Sequence, residues 1–349
     1  MNPHLGLEFP EPFLLSPRLR VHSLADRIAE VHIHVPREPV YHHRLLTADE
    51  QNRVWSALRR ILDAYGVSKP VIVTSLPTWT DAALKLRSHY GGSLIYDCHD
   101  LIEGFDNMSA DIVQVEEKLF EASSLVLFSS EWLAEHKALR HPQLTGKSVL
   151  IRNGVEFERF ESVETRRHGG VGFTVIYAGS LNFWFDVQTV LRAAEARPDW
   201  QFALIGRIES PRIGLLRQPK NVRLVGEVPY SELPDWFSRA DAAIIPFLDL
   251  PLTRATDPIK LYEYLASGLP VVSSPLPELR RFSHLVSTYT TVQEFVSALE
   301  NARNEDPERR RLRKDAARAE SWASRCSAFE SMFPALLAAN GTAIPRQTQ

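Results

Sequence analysis

The residues between 253 and 272 carry the clearest chemistry of this chain. Asp257, Pro258, Lys260, Glu263, Gly268 and Pro270 stand at spacings that build an anion site on a short helix. Asp257 is suited to cap that helix, and Pro258 to fill its first position, where a missing N–H costs nothing. Gly268 suits the left-handed residue that ends it, and Pro270 blocks continuation before the apolar run at Val271. Lys260 falls in the first turn, at the positive end of the helix dipole, where a cation is mildly unfavourable. An anion removes the conflict, because free backbone N–H groups and an ammonium together make a phosphate site. Glu263 lies one turn on, on the same face, where its carboxylate can accept hydrogen bonds from sugar hydroxyls. The competing account is an ordinary Lys260–Glu263 ion pair, worth a few tenths of a kcal/mol. Local chemistry alone leaves the two evenly matched.

Other candidates are weaker. His99 and Asp100 directly follow a strand-like run. There a histidine can touch a sugar and an aspartate can take an acceptor proton; the plainer account of Asp100 is a cap. His32, His34, His42 and His43 have no companion cluster of the three or four ligands that zinc needs, so no metal is expected. Phe183, Trp184 and Phe185 either stack on a base or sugar or join a core, the commoner fate of such clusters. The basic run Arg309, Arg310, Arg311, Arg313, Lys314 reads as a solvated face.

The chain has 349 residues, 44% hydrophobic and 24% charged, enough material for two cores. A net charge of −3 and a pI near 6.5 argue against a nucleic-acid partner. Cys98 and Cys326 are too few for a disulfide framework and lack metal-ligand spacing, which suits a reducing, cytoplasmic compartment. No leader is visible over residues 1–13, and no apolar run reaches the length of roughly eighteen residues that reads as a membrane span.

Apolar runs of strand length alternate with amphipathic runs of helix length. The first half predicts strands at 31–35, 71–75, 94–98, 125–129 and 149–152, with helices at 49–65, 110–121 and 131–139. Thr47 and Glu50 form a capping-box pattern ahead of the first helix. The second half predicts strands at 175–178, 202–205, 222–225, 242–246, 271–273 and 285–287. Its helices are expected at 187–196, 231–239, 258–267 and 292–303, with a long helical stretch from 307 to 339. Near-continuous hydrophobic strands between helices predict parallel sheets covered on both faces, hence an α/β chain of two doubly wound halves. The expected organisation is a first domain over 1–160, a linker over 161–172, a second domain over 173–320 and a C-terminal helix over 321–340 packing back on the first. In such sheets ligands bind beyond the carboxyl ends of the strands, and Lys260 follows such an end.

Several segments together resemble the two-domain GT-B glycosyltransferases of glycosyltransferase family 4, most of all the bacterial teichuronic acid and exopolysaccharide enzymes. They are Tyr96-Asp97-Cys98-His99-Asp100; Ile151-Arg152-Asn153-Gly154-Val155 through Phe160; Tyr177-Ala178-Gly179-Ser180-Leu181; Asn221 to Gly226 with Tyr230 and Leu233; the 253–272 segment; and Trp322. The resemblance implies transfer of a sugar, with retention, from a nucleotide-diphosphate sugar to a glycan or lipid-linked acceptor in polysaccharide assembly, without a cofactor. By resemblance, Glu263 is the second glutamate of a Glu-x7-Glu motif that binds the donor ribose, and Gly179 lies under the diphosphate. The donor side would comprise Gly179, Ser180, Arg207, Arg254, Asp257, Lys260, Leu261 and Glu263. No Asp-x-Asp triplet is present, which suits a clamp of protein cations. A lipid-linked acceptor implies loose association with the inner membrane face.

Three positions depart from the family pattern. Ala255 stands where the leading glutamate belongs. Ser180 and Phe185 stand where an arginine and a lysine usually hold the diphosphate, leaving Arg254, Lys260 and, less directly, Arg207 as replacements. The first strand and its glycine-bearing loop are not recognisable, so 31–35 reads as the second strand. The first domain is expected to be abbreviated, or completed by a partner protein.

Overall fold

The structure, a computed structural model, describes residues 13–16, 19–25, 28–35, 44–164, 172–303, 305–332 and 334. His42, His43, residues 1–12, residues 165–171 of the expected linker and the expected helix beyond 334 lie outside them. The chain folds as two compact units. Of the described residues, the first unit takes those up to Leu127, Ala138–Val149 and Pro334; the second takes Phe128–Lys137 and Leu150–Met332. Residues 150–160 thus belong with the second unit, earlier than the expected boundary at 160. The reason is bonding: Val155 exchanges backbone hydrogen bonds of 3.1 Å with Glu320 and Trp322, and Phe157 and Phe160 are buried in the second unit's core.

The first unit opens with β1 (Phe13–Ser16), β2 (Leu19–Ala25) and β3 (Ile28–Ile33), an antiparallel sheet in that order. This corrects the reading of 31–35 as a second parallel strand. Ala25 faces Ile28, a separation that permits only antiparallel pairing, since parallel neighbours need a crossover of a dozen or more residues. α1 (Ala48–Ala64) follows, opened by the expected capping box: Thr47 Oγ1 accepts the Glu50 N–H, and Glu50 accepts the Thr47 N–H at 2.7 Å. The chain then alternates through β4 (Val71–Thr74), α2 (Thr80–Tyr90), β5 (Ser93–Cys98), α3 (Ala110–Ala122), β6 (Leu125–Phe128), α4 (Glu131–Ala138) and β7 (Ser148–Leu150). The four strands form one sheet in chain order.

Beyond α4, which falls almost wholly within the second unit, that unit resumes with the short α5 (Phe157–Phe160). It continues through β8 (Phe173–Ala178), α6 (Val187–Ala196), β9 (Trp200–Ile205), β10 (Val222–Gly226), α7 (Leu233–Ser238), β11 (Ala242–Ile245), α8 (Pro251–Arg254), α9 (Ile259–Ala266), β12 (Val271–Ser273) and β13 (Val286–Thr288). α10 (Val292–Arg303), α11 (Pro307–Ala319) and α12 (Trp322–Glu330) complete it. The long stretch expected from 307 is broken at Ser321, whose hydroxyl caps α12 through Ser324 N–H and which pairs with Val155. The six strands are all parallel, in the order β10-β9-β8-β11-β12-β13. Strand succession therefore reverses between β8 and β11, the switch point at which such sheets open a crevice.

Helix α9 is fixed at its far end. Gly268 has φ 73°, and the bonds Leu269 N–H to Tyr264 O (3.0 Å) and Gly268 N–H to Leu265 O (2.9 Å) make a Schellman cap. The buried Arg313 of α11 donates twice to Gly268 O, at 3.1 and 3.0 Å, and also pairs with Glu305. Arg313→Leu takes the donors from a buried carbonyl and is expected to destabilise the protein by about 2–3 kcal/mol. A lowered urea midpoint for the second unit is the readout; an unchanged midpoint would show that Arg313 does not anchor α9.

Candidate functional site

Three neighbouring strands of the second unit end in glycines: Gly179 after β8, Gly206 after β9 and Gly226 at the end of β10, with φ of 144°, 136° and 88°. At Gly206 and Gly179 the neighbours approach too closely for a side chain. A Cβ on Gly206 would lie 1.9 Å from Gly179 O, and one on Gly179 would lie 2.7 Å from Lys260 Cε and 2.8 Å from its Nζ. Lys260 thus lies across the bare α-carbon of Gly179, at the switch point. Its ammonium sits 5.1 Å from the centroid of Tyr177 and 4.9 Å from that of Phe247, between rings from the ends of β8 and β11. Cation–π attraction offsets part of the lost hydration. Burial still lowers the Lys260 pKa to about 8, and Glu263 pulls it back up.

Lys260, Glu263 and Tyr264 share one face of α9, three and four residues apart. Tyr264 Oη accepts the Ala178 N–H at 2.7 Å, pinning the end of β8, and Tyr177 Oη donates to Ser180 O at 2.7 Å, pinning the turn beyond it. Glu263 is 6% exposed. Burial raises its pKa; the neighbouring Tyr230 hydroxyl and the Lys260 charge oppose that rise. The result is an ammonium and a carboxylate in a rigid crevice, chemistry fit for an anion beside a hydroxylated ring. No side chain caps the first turn of α9.

The structure brings together Gly179, Lys260 and Glu263 of the residues expected here, and gives the others different surroundings. Asp257 does not cap α9. Its buried carboxylate accepts Asn153 N–H at 2.7 Å and the Tyr262 hydroxyl at 2.8 and 2.9 Å, and burial raises its pKa to about 6. Leu261 is a core residue with no exposed surface. Arg254 forms an exposed two-pronged ion pair with Asp249, both contacts 2.6 Å. Arg207 lies between Glu209 at 3.7 Å and Glu227 at 3.5 Å, and Ser180 donates to Glu209. The amide of Gly179 is spent on Ile205 O at 2.9 Å, so this glycine contributes room rather than a donor. Phe185 is buried in the core against Tyr177. Tyr177, Phe247 and Tyr230 are not among the expected site residues, although Tyr177 and Tyr230 lie in segments that carry the resemblance and Tyr177 stands two residues ahead of a strand-end glycine.

In the first unit His99 and Asp100 follow β5 directly. His99 lies 3.7 Å from Asp97 and 3.6 Å from Asp100, and Ser75 donates to Asp97 at 2.8 Å. Burial raises the Asp100 pKa against the pull of His99, leaving a carboxyl poised above the ordinary range beside an imidazole. Among the described residues no group of three or more His, Cys, Asp or Glu is placed to hold a metal, and no helix is long and apolar enough to cross a membrane.

Residues 172–304 match the family model of group 1 glycosyl transferases. TuaH of Bacillus subtilis (strain 168), named as a teichuronic acid biosynthesis glycosyltransferase, is 28% identical over 256 residues, 66% of this chain and 64% of that protein. The chain thus spans less than two thirds of this relative's length. Among solved structures, the catalytic domain of Arabidopsis thaliana starch synthase IV bound to ADP and acarbose superposes with a TM-score of 0.66 at 15% identity, covering 92% of this chain and 84% of that one. Anabaena HepE in complex with UDP and glucose gives 0.62 at 15%, covering 84% of each chain. The fold is that of the GT-B glycosyltransferases, and residues 172–304 carry the likeness to the group 1 glycosyl transferases.

The buried ammonium carries a pH signature. The unfolded chain holds the Lys260 proton up to about 10.5, whereas the folded protein releases it near 8. Between those values the unfolded state binds more protons, so Lys260's contribution makes stability rise with pH. Lys260→Met is therefore expected to raise the thermal midpoint at pH 7, with the difference from wild type closing between pH 8 and 10.5. A pH-independent difference would contradict the burial of the charge.

Proposed function

We propose that the chain is a retaining glycosyltransferase that takes a sugar from a nucleotide-diphosphate sugar and passes it to a glycan or lipid-linked acceptor of bacterial polysaccharide assembly. The observation that carries this reading is the Lys260 ammonium laid over Gly179 at the switch point, with Glu263 one turn away. In this reading Lys260 meets the diphosphate and Glu263 the ribose hydroxyls. Leaving-group departure accumulates charge on the diphosphate, and a preorganised cation in a low-dielectric crevice stabilises that charge more than water does. The lowered pKa serves the same end: an arriving dianion restores full protonation of Lys260, so binding takes up a proton above about pH 8. The family relation and the nucleoside diphosphates seen in starch synthase IV and HepE support this donor class. His99 and Asp100 are assigned to the acceptor side, with Asp100 as proton acceptor.

A second reading rests on Ala255, which replaces the family's leading glutamate. It is 1% exposed, and its carbonyl accepts the Ser130 hydroxyl at 2.5 Å, while nearby Asp257 is spent on Asn153 and Tyr262. In that reading the chain binds a nucleotide sugar without transferring it.

Calorimetry and thermal shift against UDP, GDP, dTDP and ADP, followed by product analysis with the matching sugar nucleotides, separate the two readings. One nucleoside diphosphate is expected to bind, and Lys260→Ala to weaken it about tenfold or more, the value of a charge-assisted contact. Wild-type affinity in Lys260→Ala would end the diphosphate assignment. Gly179→Ala should lose binding too, because its Cβ occupies the lysine's place. A new glycoside marks a transferase; tight binding with donor left intact marks the second reading.

A further inference from the structure

We infer that the first unit carries a ligand site of its own, independent of the nucleotide crevice. It is a cleft between α1 and the β2–β3 pair that takes an amphiphilic phosphate, its charge against Arg53 and Arg60 and its apolar chain against Leu19 and Ile33.

The cleft has a volume of about 350 Å³, enough for a small ligand. Its two walls differ in chemistry. Leu19, the first residue of β2, and Ile33, the last of β3, are cross-strand partners and give the sheet side an apolar surface. Asn52, Arg53, Ala57 and Arg60 give the helix side its donors and charge. Positions 53, 57 and 60 share one helix face, four and three residues apart. Ala57 stands between the two arginines, and its methyl group leaves the space that a longer side chain would fill. Both walls are fixed. The capping box starts α1, and Gln51 donates to Asp81 at 2.6 Å and to Leu46 O at 3.2 Å. Val54 joins Val35 and Leu46 in a buried cluster against which Ile33 packs, so helix and strand end share one core.

Charge decides the ligand class. The other arginines of α1 have aspartates four residues away: Arg53 pairs with Asp49 at 2.8 Å, and Arg59 with Asp63 at 3.4 Å. Arg60 has Ser56 and Ala64 at those positions. Asp63, three residues on, is taken by Arg59 and by the Tyr90 hydroxyl at 2.6 Å. Among the described residues no carboxylate pairs with Arg60. Asp49 is 67% exposed, and an exposed pair of that kind is weak, so a more highly charged anion competes for Arg53. Two guanidinium forks suit the oxygens of one phosphate dianion. The apolar wall beside them adds the burial of chain methylenes, which neither a bare ion nor a sugar phosphate supplies.

The test is calorimetry of the whole chain with octyl phosphate, inorganic phosphate, octanoate and octanol, together with co-sedimentation on phosphatidylglycerol vesicles. Octyl phosphate is expected to bind tightest of the four. Arg60→Gln, an exposed change that keeps the helix, should weaken it about tenfold, the value of a charge-assisted contact. Ala57→Leu, which keeps every charge and fills the cleft, should abolish its binding. Vesicle binding that both variants lose assigns the phosphate to a lipid headgroup in a bilayer. Octyl phosphate binding without vesicle binding assigns it to a dissolved amphiphile. No binding of octyl phosphate to folded wild type, equal binding of octanol, or undiminished binding in the two variants overturns the inference and leaves the nucleotide reading standing.

Discussion

One buried ammonium organises the second unit. A lysine at the start of a helix, at the crevice end of a parallel sheet, loses hydration and faces the wrong end of a dipole. It persists because its surroundings are specialised: two aromatic faces, the bare α-carbon of Gly179, and a carboxylate one turn along. Each feature constrains others. At Gly179, with φ 144°, a Cβ would displace the end of Lys260, and Gly206 must stay a glycine for the backbone of Gly179. The strand ends beneath the crevice are thereby packed backbone to backbone, with no side chain between them. Such a floor does not relax, and a preorganised cation needs a floor of that kind.

The helix that bears the lysine is held at both ends by residues far away in sequence. At its start, Asn153 grips Asp257 twice, its N–H on the carboxylate at 2.7 Å and its side-chain amide on the carbonyl at 2.6 Å. At its end, Arg313 grips the Gly268 carbonyl. In the middle, Tyr264 and Tyr177 tie the helix and the β8 turn to backbone atoms. These contacts explain why Asp257 is buried yet does not face the crevice, and why α9 packs so closely on α11.

The departures from the family pattern fit a relocation of charge. The loop after Gly179 carries a serine engaged with Glu209 and a phenylalanine sunk in the core. Neither supplies a cation. Arg207 and Arg254 are answered by carboxylates on the same surface. Lys260, facing only Glu263 and two rings, is the cation of the crevice among the residues expected there.

Much of the architecture was legible in the chain. The bounds of α6, α10 and β12 follow directly from hydrophobic periodicity, and the alternation of buried strands with amphipathic helices predicts parallel sheets. Gly268 as a helix terminator and Thr47–Glu50 as a capping box are local, and local rules sufficed. Lys260, Glu263 and Gly179 could be nominated because helix spacing and glycine chemistry act within a few residues. Other features were decided only by tertiary structure. Asp257 turned from cap to clamp because Asn153, over a hundred positions earlier, supplies its donors. Leu261 sits one residue from Lys260 but faces the core. β3 joined an antiparallel sheet rather than a parallel one. The chain by itself set the elements and named the reactive residue types, because those depend on neighbours one turn or one strand away. Which side chains meet depended on strand order, which carries residues 177–179, 247 and 260–264 into contact across the sheet, and no periodicity in the sequence records that order.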